Sequence, residues 1–243
     1  MVCRVSISQL AEILAVSLPT VSESVLTTLG TGIVTDTRTL KGGEVFLALR
    51  GENFDGHQFV EKARDLGAIV AIVDRTWDRE VPNFPVLRVD DTLKAYQTLA
   101  RWWRDRFSIP IVAVTGSVGK TTTTELIAAV LSTGGNVLKT QYNYNNEIGV
   151  PKTLLDLSPE HNYAVIEMGM RGLGEIAVLS QIARPSIAVI TNVGTAHIGR
   201  LGAEEAIAIA KCELLAEMPA DSIAILNDVN NRLMATATKV WQG

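Results

Sequence analysis

The chain has 243 residues, 47% of them hydrophobic and 20% charged, with a formal net charge of −4; this describes an ordinary globular protein, of one or two domains at a prior of about 100–200 residues each. The mildly acidic balance argues against general nucleic-acid binding. No apolar run approaches the ~20 residues that span a bilayer, and no basic start with a continuous apolar core marks a signal peptide. Cys3 and Cys212 are the only cysteines and lack metal-ligand spacing, so free thiols in a reducing compartment, the cytoplasm, are expected.

Residues 8–14 read as a short helix with a serine available as its cap. Two β-type pieces follow, around 32–35 and 44–49, separated by Asp36-Thr37-Arg38 and the turn Lys41-Gly42-Gly43. The polar loop 50–57 carries Asn53, Asp55 and His57 and leads into a helix expected over 58–66. Such loops commonly hold binding residues, but Asp36, Arg38, Asp55 and His57 read equally well as turn formers and helix caps. Strands at 68–73 and 86–89 and a helix over 92–107 follow. Trp102, Trp103 and Phe107 near its end are spaced for core or interdomain packing rather than ligand stacking. Ser108-Ile109-Pro110 marks a boundary between a first domain, 1–107, and a second, 108–243.

The second domain opens on Ile111-Val112-Ala113-Val114-Thr115-Gly116-Ser117-Val118-Gly119-Lys120-Thr121-Thr122. A β-branched apolar run, a glycine turn and a helix-compatible stretch, 121–131, make strand, phosphate loop, helix. Glycines let several N–H groups face one anion, and the helix N-terminus adds its positive end. Lys120 can reach a β- or γ-phosphate and the Thr121 hydroxyl can ligate Mg²⁺. The general pattern wants a glycine where Val114 stands, so the loop is a shorter Gly-x-x-Gly-Lys-Thr. A chance Gly-Lys-Thr after an ordinary strand is the alternative.

A short strand at 136–140 precedes the segment 141–151, whose Asn143, Asn145 and Asn146 before Gly149 and Pro151 exclude regular core. It is either a turn-rich connection or a set of amides beside a polar ligand. Apolar strands at 163–169, ending in Glu167, and 186–192, leading to His197, alternate with helices. This predicts βαβ units and a parallel sheet, with ligands beyond the carboxyl ends of the strands. The phosphate loop, Glu167 and the 192–197 loop then share one rim, where Glu167 suits Mg²⁺. His197 reads equally as a metal or water holder and as a turn cap. In the helix expected over 204–218, Ile207, Lys211, Leu214 and Met218 share a face. A buried lysine must find a carboxylate, lose its proton or react with CO₂ to form an anionic carbamate; spacing alone favours snorkelling to solvent.

Together these residues resemble the Mur ligase family. The resemblance spans the chain through Thr35-Asp36-Thr37-Arg38, residues 43–51, Asp55-Gly56-His57, the phosphate loop, residues 143–151, Glu167-Met168-Gly169, Ala196-His197 and Ala210-Lys211. The asparagine segment before Ile148-Gly149-Val150-Pro151 is similar to the branch that joins D-Ala-D-Ala to UDP-N-acetylmuramoyl-tripeptide. The resemblance implies an α/β chain: a small mixed α/β N-terminal substrate domain, 1–107, binding the UDP-sugar, and a C-terminally incomplete P-loop-type parallel-sheet ATPase domain, 108–243. It implies UDP-sugar contacts from Thr37, Arg38, Asn53, Asp55 and His57. ATP would be held by Thr115, Gly116, Ser117, Val118, Gly119, Lys120, Thr121, Thr122, Asn145, Asn146 and Asn227, with Asp228 near the base. Two Mg²⁺ ions would be served by Thr121, Glu167, His197 and a carbamylated Lys211, and Lys120, His197 and Lys211 would be the catalytic set. The implied chemistry is ATP-driven amide formation through an acyl phosphate. Family members continue into more of the central domain and a closing third domain, so this chain is expected to be truncated, with an exposed sheet edge open to a complementary fragment or to self-association. Two other functions stay open: a non-catalytic nucleotide-sugar-binding module partnering a complete ligase, and a sister ligase or folylpolyglutamate-synthase-like enzyme. Against the folate type stands the Asp36-Thr37-Arg38 domain.

Overall fold

The computed structural model describes residues 3–51, 54–196 and 198–241. The chain divides into two compact units, Met1–Trp103 and Arg104–Gly243. In the first, β1 (Val5–Ser6) runs straight into α1 (Ile7–Ile13). The cap is Ser6: its hydroxyl accepts from Gln9 N–H, and the Gln9 side chain accepts from Ser6 N–H, which satisfies two end groups of the helix at once. After α2 (Glu23–Leu26), β2 (Leu29–Gly30) pairs antiparallel with β1.

The remaining strands of this unit are β3 (Ile33–Val34), β4 (Val45–Leu47), and, after α3 (Val60–Asp65), β5 (Val70–Asp74) and β6 (Val86–Val89). They form a parallel sheet in the order β3-β4-β5-β6. Val45, Phe46, Leu47, Val70, Ala71, Ile72 and Val73 are all buried, as a strand covered on both faces requires. The helix expected from residue 58 starts instead as a 3-10 turn, Gly56–Phe59, and becomes α-helical at Val60. The unit closes with α4 (Thr92–Arg104). Asp91 caps it, accepting from the N–H groups of Leu93 and Lys94, and Ala95, Tyr96, Leu99, Ala100 and Trp103 form its buried stripe. The helix stops three residues short of the expected end because the chain turns back, Phe107 N–H donating to Arg104 O.

The second unit holds β7 (Ile111–Thr115), α5 (Lys120–Leu131), β8 (Val137–Lys139), α6 (Gly149–Leu155), β9 (Tyr163–Glu167), α7 (Glu175–Ala183), β10 (Ile187–Ile190), α8 (Ile198–Leu201), α9 (Glu204–Ala216), β11 (Ile223–Leu226) and α10 (Asn231–Val240). The five strands are parallel in the order β11-β10-β7-β9-β8. Fully buried β7 is central. From it the chain goes out to β8, returns through β9 and crosses to β10 on the other side. That reversal of direction leaves a crevice at the carboxyl end of β7, where sheets of this kind bind ligands. Register places Glu167 beside Val114 and Ile190 beside Thr115, so the ends of β9 and β10 flank that of β7.

Segment 141–151 is less irregular than its composition suggests. Gly149, Val150 and Pro151 are buried in the first turn of α6, where a proline sacrifices no hydrogen bond. Gly149 is required sterically, since a Cβ there would lie 2.4 Å from the Tyr144 backbone. Helix α9 packs against α7, α10 and β10, and its Glu213 carboxylate accepts from the N–H groups of Gly174 and Ala177 at the start of α7. Among the described residues no helix is long and apolar enough to cross a membrane.

Candidate functional site

The site is built outward from the end of β7. Gly116 has φ 153°, and a Cβ on it would lie 1.9 Å from Thr191 Oγ1, so only glycine fits between β7 and the loop that follows β10. Gly119 precedes α5 in the left-handed region, φ 81°, which strains any L side chain. The first N–H groups of α5 have no intrahelical acceptor, and Lys120 and Thr121 sit among them. Lys120 folds back over the loop, its Nζ donating to Gly116 O at 3.1 Å.

Thr121 and Glu167 meet. The Thr121 hydroxyl donates to Glu167 Oε2 at 2.8 Å, and Asn145 Nδ2 donates to Oε1 at 2.7 Å. Glu167 is 3% exposed, so it is no solvated strand end. Its own N–H donates to Thr140 Oγ1 at 2.8 Å, a contact that fixes β8 against β9. A hydroxyl and a carboxylate side by side at the head of an anion-binding loop are the hard oxygen donors Mg²⁺ takes, usually with phosphate oxygens and water completing its shell. Among the described residues no group of three His, Cys, Asp or Glu side chains could enclose a metal by itself. Asn146 has a different job from Asn145: its Oδ1 accepts from Gly149 N–H at 2.9 Å and so caps the start of α6.

Lys211 does not snorkel, as spacing alone favours; it is 1% exposed. Helix α9 is wrapped on most sides, leaving its long side chain no route to solvent. Among the described residues no carboxylate lies within 4 Å of its amine. Burial, and then the nearby Lys120 charge, pull its pKa down to about 8. Burial likewise pushes the adjacent Cys212 thiol up to about 11, which makes it a poor nucleophile.

His197 lies outside the described residues. The loop before it was expected on the rim, and it is there, but Thr191 and Asn192 at its start bond the phosphate loop directly. Neither was singled out from sequence, although a strand ending in two polar residues on a ligand rim was a usable signal. Asn227, expected near the nucleotide base, braces the 191–194 loop: its Nδ2 donates to Thr191 O at 3.1 Å and its Oδ1 accepts from Val229 N–H at 3.3 Å. Asp228 is exposed.

In the first unit the candidates flank the carboxyl ends of β3 and β4. Thr37 is buried in a 3-10 turn capped by Asp36, and Arg38 lies exposed against the Asp36 carboxylate at 2.6 Å. Asn53 lies outside the described residues. His57 is 3% exposed and both its nitrogens are used. Nε2 accepts from Asp74 N–H at 2.8 Å, so the ring proton sits on Nδ1, 2.5 Å from Asp55 Oδ1. Burial alone would raise the Asp55 carboxyl; the His57 backbone N–H and ring, with Arg50, outweigh it and hold the group below its usual range. The His57 ring thus ties Asp55 to the end of β5, and a hydrogen bond from either ring nitrogen to a ligand would replace one of these two.

The chain is similar to known proteins along most of its length. Residues 114–242 match the family described as the Mur ligase middle domain, and residues 30–104 match the Mur ligase family, catalytic domain. The chain is 62% identical over 211 residues to a UDP-N-acetylmuramoyl-tripeptide–D-alanyl-D-alanine ligase of Synechocystis sp., a match covering 87% of the chain and 46% of that protein. The crystal structure of MurF from Acinetobacter baumannii superposes with TM-score 0.87 at 35% identity, covering 98% of the chain and 52% of its own. That of MurF ligase from Thermotoga maritima in complex with ADP gives 0.80 at 33% identity, covering 86% and 48%. The chain therefore spans about half the length of the relatives it matches.

Proposed function

Because the chain belongs to the Mur ligase family, we propose that it carries the nucleotide-sugar-binding and ATP-binding parts of a cytoplasmic ligase that joins D-Ala-D-Ala to UDP-N-acetylmuramoyl-tripeptide. The observation that carries the reading is the Thr121–Glu167 contact beside the glycine cradle of Gly116 and Gly119. In this reading residues 115–122 wrap the ATP phosphates, and Lys120 leaves Gly116 O to neutralise them. Thr121 and Glu167 hold one Mg²⁺, with Asn145 fixing the carboxylate from its other oxygen. Lys211, as a carbamate, and His197 hold a second. Bound Mg²⁺ supplies charge neutralisation and orientation of the triphosphate.

An amine with a pKa of about 8 is partly neutral near physiological pH. That neutral form adds CO₂: a nitrogen–carbon bond forms, a proton leaves, and an unpaired buried cation becomes an anionic ligand. The γ-phosphoryl group passes to the tripeptide carboxylate, turning a poor acyl donor into an acyl phosphate. The amine of D-Ala-D-Ala then displaces phosphate and forms the amide. The chain's part is to position groups and stabilise charge. Thr37, Arg38, Asn53 and Asp55 are the UDP-sugar candidates, with His57 behind them. Asn227 reaches the base indirectly, through the loop it braces. The edge strand β11 exposes Ile223 and Ile225 by more than half, which supports association through that edge with a complementary polypeptide or a second copy.

The test is ADP release by the 243-residue chain with Mg-ATP, bicarbonate, UDP-N-acetylmuramoyl-tripeptide and D-Ala-D-Ala, omitting each substrate in turn, with Lys120→Ala as control. ADP that needs both acceptor substrates and vanishes in the control is the expected result. Saturable binding of the sugar-peptide without ADP would make the chain a recognition module and end the claim that it is itself an enzyme.

A further inference from the structure

We propose that Asn192 is a positioning residue for the phosphate loop, locking it in its anion-binding shape through both backbone groups of Val118. The proposal rests on reading this rim as a phosphate site. Asn192 Oδ1 accepts from Val118 N–H at 3.1 Å, and Asn192 Nδ2 donates to Val118 O at 3.1 Å. Thr191 Oγ1 donates to the same carbonyl at 2.7 Å. Next to these, Ser117 N–H donates to Asn192 O at 3.0 Å, and Ser117 Oγ accepts from Gly194 N–H at 2.9 Å.

The consequence follows from peptide geometry. In a trans peptide the C=O of Val118 and the N–H of Gly119 point in opposite directions. Two donors holding Val118 O against the 191–194 loop therefore aim Gly119 N–H away from that loop. With this rim read as a phosphate site, a carbonyl turned the same way would instead repel the anion. The left-handed φ of Gly119, 81°, is the conformation this peptide orientation uses. Only a carboxamide supplies the acceptor and the donor that Val118 needs. A flipped or aspartate side chain would set like groups against each other. The clamp is itself braced from behind, since Asn227 Nδ2 donates to Thr191 O at 3.1 Å and Asn230 Nδ2 donates to Val193 O at 2.8 Å. Asn227 and Asn230, near the end of β11, thus act on the phosphate loop through Asn192.

The experiment reads two things on the full 243-residue chain: amide hydrogen exchange at Val118 without ligand, and affinity for Mg-ATP and for inorganic tripolyphosphate. The variants are Asn192→Ala, Thr191→Val and Thr191→Ser. Asn192→Ala is expected to speed Val118 exchange and to weaken both ligands by the same factor, roughly tenfold for two lost hydrogen bonds, while exchange of the β7 and β9 amides stays slow. Thr191→Val weakens both by a smaller factor, and Thr191→Ser restores them because the hydroxyl returns. Unchanged Val118 exchange and unchanged affinities in Asn192→Ala would overturn the proposal. So would a loss of affinity accompanied by faster exchange throughout β7 and β9, which marks general destabilisation. Failure of the unmodified chain to bind either ligand would overturn the phosphate-site reading, while Val118 exchange alone would still report whether Asn192 sets the loop's shape.

Discussion

The two parallel sheets both end in polar loops, yet they close their hydrogen bonds at different ranges. Around the four-stranded sheet the candidate residues' side-chain partners are near neighbours: Asp36 holds Arg38 and Asp55 holds His57, each two residues on, and a longer tie, His57 Nε2 to Asp74 N–H, spans 17 residues. Around the five-stranded sheet they come from distant segments: Thr121 reaches Glu167, 46 residues away, and Asn192 reaches Val118, 74 residues away. Local closure makes turns that are largely self-contained. Long-range closure ties the ends of β7, β9 and β10 into one assembly, in which moving one loop disturbs the others. The second rim also contains Lys211, a buried cation with no carboxylate near it among the described residues. Folding stability alone does not favour such a group, and the proposed function gives it a chemical role instead.

The largest expected effect tests that last point. Lys211 holds its proton less tightly in the folded chain, at about 8, than at the ordinary lysine value of 10.5. Between those values the unfolded chain carries more protons, so stability rises with pH across that window. Below it the full penalty, about 3 kcal/mol, is in force. In CO₂-free buffer Lys211→Met should therefore stabilise the chain by up to about 3 kcal/mol at pH 7 and abolish the rise above pH 8. Denaturant titrations at pH 7 and 10 measure both, and an unstable variant with the rise intact would place the strain elsewhere.

Next in size is His57. Replacing it with phenylalanine keeps a ring but strips Asp74 N–H of its acceptor and Asp55 of its ring contact, which should cost about 2 kcal/mol. A loss of UDP-sugar affinity with unchanged stability would instead make His57 a ligand contact and break the contrast between the rims. Glu167→Gln keeps a hydrogen-bonding shape but removes the charge a metal needs. It should weaken Mg-ATP binding roughly tenfold while leaving metal-free ATP binding near normal, as calorimetry with and without Mg²⁺ would show. The smallest effect belongs to Arg38→Ala. Its ion pair with Asp36 is exposed, so the melting temperature should not move measurably, and any change should appear in sugar-nucleotide affinity alone.

What could be read in advance follows the same division. The strand, glycine turn and helix at 111–131 were legible because β-branched residues, Gly116, Gly119 and Lys120 carry their conformational preferences locally. The parallel sheet was legible from the alternation of apolar strands and helices. Burial of Lys211 was not, because it depends on what packs against α9 from α7 and α10, and one face of a helix says nothing of that. The role of Asn145 was equally hidden, since its partner Glu167 lies 22 residues on. The 3-10 turn at Gly56–Phe59 escaped because Asp55 and His57 satisfy each other, a pairing that composition alone presents as a generic loop. Pro151 suggested irregular chain, whereas the first turn of a helix is where proline is tolerated.

The most direct test of the account is calorimetric titration of Mg-ATP into the 243-residue chain and its Lys120→Ala variant. The account predicts one saturable site in the unmodified chain, weakened roughly 10- to 100-fold when the Lys120 ammonium is removed. No saturable binding, or equal affinity in the two chains, would contradict it.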